Sequence, residues 1–239
     1  MEEWLSRTEQ LLGEEALLKL RQSHVLIVGI GGVGAYAAEM ICRSGIHSMT
    51  IVDGDNVNLS NINRQLIATH STIGKPKTEI LAHRLLDINP RIDLHIKQLY
   101  MDENQVGILL DETKYDFVID AIDTLSPKIA LLTECLKRKI KIISSMGAGG
   151  RIDPTRIAYA DISETFHCSL AKAVRKRLKD AGIKKGLKVV FSSEQPDRNA
   201  IIRTDEERNK KSTVGTVSYL PAIFGCYLAA YVIRKLSQK

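Results

Sequence analysis

An apolar run, VLIV at residues 25–28, leads directly into the glycine pattern G-x-G-x-x-G at residues 29–34 and constrains the fold more than any other feature. A second apolar run ends in Asp53, nineteen residues after Gly34. In a Rossmann-type βαβ unit the first glycine permits a tight turn, the second lets the backbone approach a phosphate, and the third lets the helix pack on the strand. The pattern therefore predicts a nucleotide site rather than a glycine turn without a ligand, with Asp53 accepting hydrogen bonds from the ribose hydroxyls.

The residues after Asp53 are unusual for a dinucleotide-dependent dehydrogenase. Asp55 follows at once, SNINRQ occupies residues 60–65, and Lys77 lies further on. Arginine offers a planar fork to phosphate oxygens and lysine a mobile point charge, so Arg64 and Lys77 suit a polyphosphate. Taken singly, Arg64 is typical of a solvated loop, and Asp55 of an Asx turn beside Gly54. The candidate nucleotide-binding residues are Gly29, Gly31, Gly32, Gly34, Asp53, Asp55, Asn61, Arg64, Gln65 and Lys77.

Alternating strand and helix patterns up to Gly150 predict a mostly parallel sheet with helices on both faces. The predicted strands are 24–28, 48–52, 93–98, 116–119 and 140–144, and the predicted helices are 14–20, 32–44, 72–86, 105–110 and 127–138. Later strands at 156–161 and 188–191, a helix at 169–181 and a closing apolar helix at 221–236 should extend the same sheet. We expect a Rossmann-like α/β fold in one domain, 1–239, with a nucleotide-binding half (1–150) and a substrate and closing half (151–239).

A second acidic motif, Asp120-Ala-Ile-Asp123, ends another predicted strand. Ligands of open α/β sheets bind outside the carboxyl ends of the strands. A carboxylate that faces a triphosphate there is a natural Mg²⁺ ligand, so Asp123 is the metal candidate. The alternative is helix capping, in which Asp123 or Ser126 precedes Pro127 as an N-cap. We favour the metal role, and the two roles are compatible.

Together, GIGGVG, DGD before SNINRQ, Lys77 and DAID resemble the adenylating superfamily of ubiquitin-activating-type enzymes, over about residues 5–150. The resemblance implies that ATP is the nucleotide, that Arg64 and Lys77 contact its phosphates, and that Asp123 binds Mg²⁺. One departure is Thr124, where the superfamily usually has asparagine.

The same resemblance implies a homodimer in which Arg7 reaches the ATP of the partner subunit. The catalytic set that it implies is therefore Arg64, Lys77, Asp123 and Arg7. The adenylation expected of this set needs no enzyme nucleophile, because ATP itself activates a carboxylate of the substrate.

The second half of the chain resembles one branch of this superfamily through ADIS at 160–163, VVFSSEQP at 189–196 and GTVSYLPAIFG at 215–225. Members of that branch adenylate the carboxylate of threonylcarbamoyladenosine in tRNA and then cyclise it. The main alternative is an activator of a ubiquitin-like sulfur-carrier protein. Many such activators carry a zinc site. The sequence has no CxxC pair, which argues against that alternative. A nucleotide-binding scaffold without activity and a dehydrogenase are weaker alternatives.

Residues 172–188 hold eight Lys or Arg and one acid. On composition alone this stretch is at least as typical of a solvated helix face as of a binding site. Leu170, Val174 and Leu178 would lie on the buried side of that helix. With a tRNA substrate it becomes the leading region for phosphate contacts. The candidate nucleic-acid contacts are Lys172, Arg175, Lys176, Arg177 and Lys179.

Composition narrows the remaining expectations. The net charge of +6 favours an anionic partner, and the resemblance allows a sulfur-relay protein as a further partner. Four scattered cysteines indicate a reducing cytoplasm. The apolar stretch 214–233 is interpreted as a buried or interface helix rather than a membrane span. Cys168 beside His167 is interpreted as a buried thiol rather than a nucleophile, and Cys226 as a packing residue.

Overall fold

Nine strands and eight α-helices are formed by residues 2–203 and 212–238, the part of the chain that the computed structural model describes. The strands are β1 (His24–Val28), β2 (Ser48–Val52), β3 (Asp93–Lys97), β4 (Phe117–Asp120), β5 (Ile142–Ser145), β6 (Ile157–Asp161), β7 (Lys188–Ser192), β8 (Ile201–Arg203) and β9 (Ser212–Val214). The helices are α1 (Ser6–Leu12), α2 (Glu14–Arg21), α3 (Gly34–Arg43), α4 (Lys77–Ile88), α5 (Glu103–Glu112), α6 (Leu125–Lys137), α7 (Ser169–Asp180) and α8 (Tyr219–Ser237).

β1 lies inside the main sheet, whose order among the described strands is β3-β2-β1-β4-β5-β7-β6. Neighbouring strands are parallel except β6, which runs antiparallel to β7. The chain moves outward from β1 to β3 and then returns to the other side of β1 as β4. The strand order therefore reverses between β1 and β4, which is where open α/β sheets bind their ligands. The predicted fold class is confirmed, including the extension of the sheet by β6 and β7.

Successive residues of β1 face opposite sides of the sheet and enter two different hydrophobic cores. Val25 and Ile27 belong to the core covered by α2, α3, α4 and α8. Leu26 and Val28 belong to the core covered by α5, α6 and α7. A strand that is buried on both faces needs a continuous apolar run, which VLIV supplies.

The closing helix α8 packs against α2, α3, β5 and β7. Its Gly225 permits close contact with α3, since a Cβ there would lie 2.4 Å from the carbonyl oxygen of Val33. Cys226, the next residue, is exposed, so its interpretation as a packing residue within the chain was wrong. None of the helices in the described residues combines the length and the apolar character needed to cross a membrane.

Five helices begin at residues other than those predicted. α3, α5 and α8 each begin two residues away, at Gly34, Glu103 and Tyr219 rather than 32, 105 and 221. α4 begins at Lys77 rather than residue 72, because Gly74 has φ +83° and Pro76 is extended, so neither continues a helix. α6 begins at Leu125, two residues before Pro127. The hairpin of β8 and β9 was not predicted, since its strands have three residues each and carry little periodicity.

Candidate active site

The glycine loop after β1 closes against the loop after β4. Gly29 has φ +84°, and a Cβ there would lie 2.8 Å from the carbonyl oxygen of Ala121. A Cβ at Gly34 would lie 1.8 Å from the carbonyl oxygen of Gly29. Glycine is therefore required at both positions, by the turn at one and by the helix contact at the other.

The other two glycines of the loop have different surroundings. The atoms nearest to a Cβ at Gly31 belong to the Gln65 side chain, at 3.6 Å and beyond, so the protein leaves room beside this part of the backbone. A Cβ at Gly32 would lie 3.2 Å from Cβ of Pro221 and 3.2 Å from the carbonyl oxygen of Arg64. The free space at Gly31, just before α3, lies where a helix N-terminus favours anions.

Asp53 ties the loop after β2 to the glycine loop. Its Oδ2 accepts from the backbone N–H of Ile30 at 2.8 Å, and its Oδ1 accepts from that of Asp55 at 2.8 Å. Burial raises the pKa of the Asp53 carboxyl, while Lys77 and the two N–H donors oppose the rise. Each carboxylate oxygen can accept a further hydrogen bond, so Asp53 keeps acceptor capacity for ribose hydroxyls.

Lys77 forms an ion pair with Asp55 beside this carboxylate. Its Nζ lies 2.8 Å from Asp55 Oδ2, and the Lys77 side chain is 6% exposed while that of Asp55 is 52% exposed. A backbone hydrogen bond from Lys77 N to Asp55 O, at 3.0 Å, holds the start of α4 against the same loop. The Asx-type contact belongs to Asp53 rather than to Asp55. Asp53, Asp55 and Lys77 thus lie together.

The SNINRQ segment lies against the glycine loop through Gln65 and Arg64. Asn61 is buried, and its Oδ1 accepts from the backbone N–H of Asn58 at 3.1 Å, which caps a short turn. Arg64 is half-buried, and its Nη1 donates to Ser60 O at 2.8 Å. Gln65 is 8% exposed, and its Oε1 has no hydrogen-bond partner among the described residues. The amide Nε2 of Gln65 is the atom nearest to a Cβ at Gly31, and as a donor it suits a phosphate oxygen bound there.

Lys128 was missed in the sequence, although it organises the loop that carries Asp123. Its Nζ lies 2.6 Å from Asp120 Oδ2 and donates to Ile122 O at 2.8 Å, and neither charged side chain is exposed. Ser144 Oγ donates to the same Asp120 oxygen at 2.6 Å. A lysine in the first turn of the helix that follows a strand-end aspartate is the signal that would have found this pair.

Asp123 itself is exposed, in the loop between β4 and α6. Thr124 occupies the N-cap of α6, so the capping role considered for Asp123 and Ser126 was wrong. Among residues 2–203 and 212–238, no cluster of three or more His, Cys, Asp and Glu could hold a metal by itself. Magnesium is usually held by one or two carboxylates together with substrate phosphates, and one exposed carboxylate at this edge fits that pattern.

The model of the ThiF family matches residues 5–239 of this chain. This chain belongs to the ThiF family. A relative from Bacillus subtilis, named tRNA threonylcarbamoyladenosine dehydratase, is 41% identical over 97% of this chain and 93% of its own length. The resemblance seen in the motifs of both halves is confirmed.

Two solved structures are similar over nearly the whole chain. One is Escherichia coli tRNA N6-threonylcarbamoyladenosine dehydratase in complex with ATP, with TM-score 0.89 and 34% identity, covering 97% of this chain and 93% of that chain. The same protein in complex with AMP also has TM-score 0.89 and 34% identity, with coverage of 99% and 96%.

In this ThiF-family chain, a buried arginine holds the glycine-rich loop that follows β5. Arg151 is 5% exposed and its guanidinium donates to four backbone carbonyls: Gly147 at 2.8 Å, Gly149 at 3.1 Å, Glu194 at 3.0 Å and His167 at 2.6 Å. The guanidinium therefore joins three loops of the second half. Sequence reasoning had assigned it no role.

The basic helix α7 presents one face as a groove. The groove is lined by Lys172, Arg175, Lys176, Lys179 and Lys184. Arg177 is exposed but lies outside that groove. Nη1 of Arg175 donates to Thr165 O at 2.7 Å and to Thr165 Oγ1, so part of its guanidinium supports the fold. Val174 and Leu178 are buried beneath, so α7 has both the apolar and the basic face considered from its sequence.

Cys168 is buried and acts as the N-cap of α7, with its Sγ accepting from Ala171 N at 3.4 Å. The neighbouring His167 directs its Nδ1 to Ser193 O at 3.0 Å instead. The expected buried thiol is confirmed.

Arg7 lies on α1, away from the nucleotide site of its own chain. Leu5, two residues earlier, is buried against Gly45, where a Cβ would lie 3.1 Å from Leu5 Cδ1. Gly45 precedes β2 and therefore lies at the amino ends of the parallel strands. Asp53 follows β2 at the opposite edge, so the structure does not bring Arg7 to the other predicted site residues.

Proposed function

We propose that this chain is an ATP-dependent tRNA threonylcarbamoyladenosine dehydratase. The observation that carries the proposal is the arrangement of Asp53, Lys77 and the glycine loop at the switch point between β1 and β4. That fold is similar, over 97% of the chain, to a dehydratase solved with ATP.

The reaction follows from the chemistry of the carboxylate. An oxygen of the threonylcarbamoyl carboxylate attacks the α-phosphorus of ATP, and pyrophosphate leaves. A nucleophile in the same modified nucleoside then attacks the acyl carbon, and AMP leaves with the former carboxylate oxygen. The substrate loses one water equivalent. Ring closure within one molecule benefits from effective concentrations of about 10⁵–10⁸ M, so a covalent enzyme intermediate is unnecessary.

The residues of the nucleotide half divide this task. Asp53 would hold the ribose, and the free space at Gly31 with the start of α3 would accept phosphate. Lys77 would share its charge between Asp55 and the phosphates, and Arg64 would use the guanidinium nitrogens that do not bond Ser60. Such donors, fixed before the reaction, stabilise the charge that develops on the transferring group.

Asp123 would hold Mg²⁺ together with the phosphates of ATP. The ion would supply charge neutralisation at the transferring phosphoryl group. Lys128 supports this role indirectly, because its bonds to Asp120 and to the carbonyl of Ile122 fix the backbone just before Asp123.

The groove on α7 would bind phosphates of tRNA. Four lysines and one arginine line it, while helix residues on the other side pack into the core. Clustered cations on one helix face are the footprint expected of nucleic-acid binding.

The active enzyme would be a homodimer. Arg7 lies at the sheet edge opposite its own Asp53, so it could serve only the site of another copy. An exposed or half-exposed apolar stripe on α8 offers a surface for that copy: Ile223, Cys226, Ala230 and Ile233. Their spacings of three, four and three residues are those of a seam between two helices.

We place the enzyme in the cytoplasm, since Cys42, Cys135, Cys168 and Cys226 are all free thiols in a chain whose substrate would be tRNA. A sulfur-relay protein as a further partner stays a prediction of the resemblance, with no surface assigned to it.

The test is incubation with ATP, Mg²⁺ and tRNA that carries the linear nucleoside, followed by mass spectrometry of the digested nucleosides. The proposal expects loss of one water mass from that nucleoside and release of one AMP per turnover. ATP–pyrophosphate exchange that requires a ubiquitin-like carrier and leaves the nucleoside unchanged would support the sulfur-carrier alternative instead.

A further inference from the structure

An apolar patch with two aromatic rings lies between the nucleotide half and the basic groove. Its members are Phe166, Ile152 and Tyr219, which are 49%, 68% and 41% exposed. Tyr219 OH donates to Ile152 O at 2.7 Å. Arg151, next to Ile152, donates to the carbonyl of His167, next to Phe166, at 2.6 Å. Hydrogen bonds to backbone carbonyls thus hold together the segments that carry these three exposed side chains.

The patch is continuous with the nucleotide site on one side. Tyr219 begins α8, and Pro221 in the same turn lies against Gly32, where a Cβ would be 3.2 Å from Cβ of Pro221. The loop that Arg151 holds follows β5, the neighbour of β4 in the sheet. The patch therefore borders the edge of the sheet that carries Asp53 and Asp123.

The patch is continuous with the basic groove on the other side. Phe166 lies two residues before Cys168, the N-cap of α7. Since a helix rises about 1.5 Å per residue, Lys172, Lys176 and Lys179 lie roughly 6, 12 and 16 Å from Cys168 along the axis of α7. A nucleic-acid strand held by these lysines would pass Phe166 on its way to the nucleotide site.

The backbone next to Phe166 is held in a left-handed conformation at His167. His167 has φ +52°, a left-handed conformation that is unusual for a residue other than glycine. Its carbonyl is fixed by Arg151, and its ring Nδ1 lies 3.0 Å from Ser193 O. Backbone strain that the surroundings maintain in this way clusters at ligand sites. Here it presents the Phe166 ring to solvent while one edge packs on Phe191 at a centroid distance of 5.5 Å.

We infer that this patch binds the base of the tRNA nucleoside whose carboxylate is activated, with Phe166 as the stacking residue. The inference rests on the proposed function and adds the residues that would hold the nucleoside base. Sequence-tolerant stacking on an exposed aromatic ring beside a basic track is how proteins hold single-stranded nucleic acid. Charge complementarity with the α7 groove favours tRNA over an apolar protein partner for this patch.

The experiment compares wild type, Phe166→Ala and Phe166→Trp, with Ile108→Ala on α5 as a matched exposed control (58% exposed). We expect Phe166→Ala to raise the KM for tRNA carrying the linear nucleoside by roughly 5- to 100-fold, the cost of removing one base stack. The affinity for ATP alone should not change. Phe166→Trp should restore the KM, and Ile108→Ala should leave it at the wild-type value. In a Trp4→Phe background, the indole introduced by Phe166→Trp should be quenched when that tRNA binds.

Three outcomes would overturn the inference. Wild-type turnover with an unchanged KM in Phe166→Ala removes the stacking role and leaves the proposed function in place. A change in sedimentation of Phe166→Ala identifies the patch as a contact between copies of the chain. Absence of turnover in wild type, measured in the same assay, removes both the inference and the function on which it rests.

Discussion

Lys128 and Asp120 form an ion pair with 2.6 Å between Nζ and Oδ2, and neither side chain is exposed to solvent. Asp120 also accepts from Ser144 Oγ and from the backbone N–H of Ile122, and Lys128 donates to Ile122 O. The two charges thus fix both ends of the short segment that leads to Asp123. Removing one partner of such a pair leaves an uncompensated buried charge, which is strongly destabilising.

Lys128→Met should lower the free energy of unfolding by about 3–5 kcal/mol, because it leaves the Asp120 carboxylate buried without its cation. Lys128→Met combined with Asp120→Asn should recover part of that loss, since no unpaired charge remains. Denaturant unfolding of wild type, Lys128→Met and the double variant measures this recovery. Equal destabilisation of the single and double variants would contradict it.

Asp123→Ala should abolish ATP-dependent release of AMP while changing the free energy of unfolding by no more than about 0.5 kcal/mol, since Asp123 is exposed and does not occupy the helix N-cap. Turnover at several Mg²⁺ concentrations and a thermal melt are the measurements. Asp87→Ala, an exposed aspartate on α4, is the matched control and should keep wild-type turnover. Unchanged turnover in Asp123→Ala would remove the metal assignment.

Sequence predicted the parts of the fold that depend on local pattern. β1 and β2 were placed at their observed bounds because each is a short buried run that a glycine or an aspartate ends. Arg151 was missed because a buried cation has the same sequence appearance as a surface one, and its partner, the carbonyl of His167, is brought near only by loop packing. Lys128 was missed although its partner Asp120 lies only eight residues earlier, at the end of β4.

The same limit explains the assignments that changed. Cys226 sits in an apolar helix, and its periodicity alone could not tell which face of α8 the core covers. Arg175 lies in a basic stretch typical of phosphate binding, yet part of its guanidinium donates a hydrogen bond to Thr165 O. Side-chain roles of this kind depend on tertiary neighbours.

Charge reversal on the α7 groove should weaken tRNA binding and reduce its salt dependence. Lys172→Glu with Lys176→Glu should make the negative slope of log K against log salt shallower, by about one for each phosphate that the variant no longer neutralises. Arg177→Glu is the matched control on the same helix outside the groove, and it should have the smaller effect. Arg175 is left intact because it supports the fold. Equal slopes for all variants would place the tRNA elsewhere.

Arg7→Ala and Lys77→Ala should each inactivate the enzyme if it is the proposed homodimer and Arg7 acts on the partner's ATP. Mixing the two inactive proteins creates heterodimers in which one site keeps both residues. We expect recovery of up to about a quarter of wild-type turnover, since half of the randomly mixed dimers are heterodimers with one complete site of two. Turnover is measured after exchange of subunits. Lack of recovery in verified heterodimers would contradict action across the dimer.

Ala230→Arg should dissociate the proposed homodimer if the stripe of Ile223, Cys226, Ala230 and Ile233 on α8 is its seam, because the change buries an unpaired charge between two helices. Sedimentation velocity measures the change, and Ala181→Arg, at an exposed alanine after α7, is the control. Cys226 supplies a second measurement, since Cys42, Cys135 and Cys168 are buried and should react slowly with maleimide. Labelling of Cys226 should be slow in wild type and fast in Ala230→Arg. Fast labelling of a wild-type dimer would place the seam on another surface.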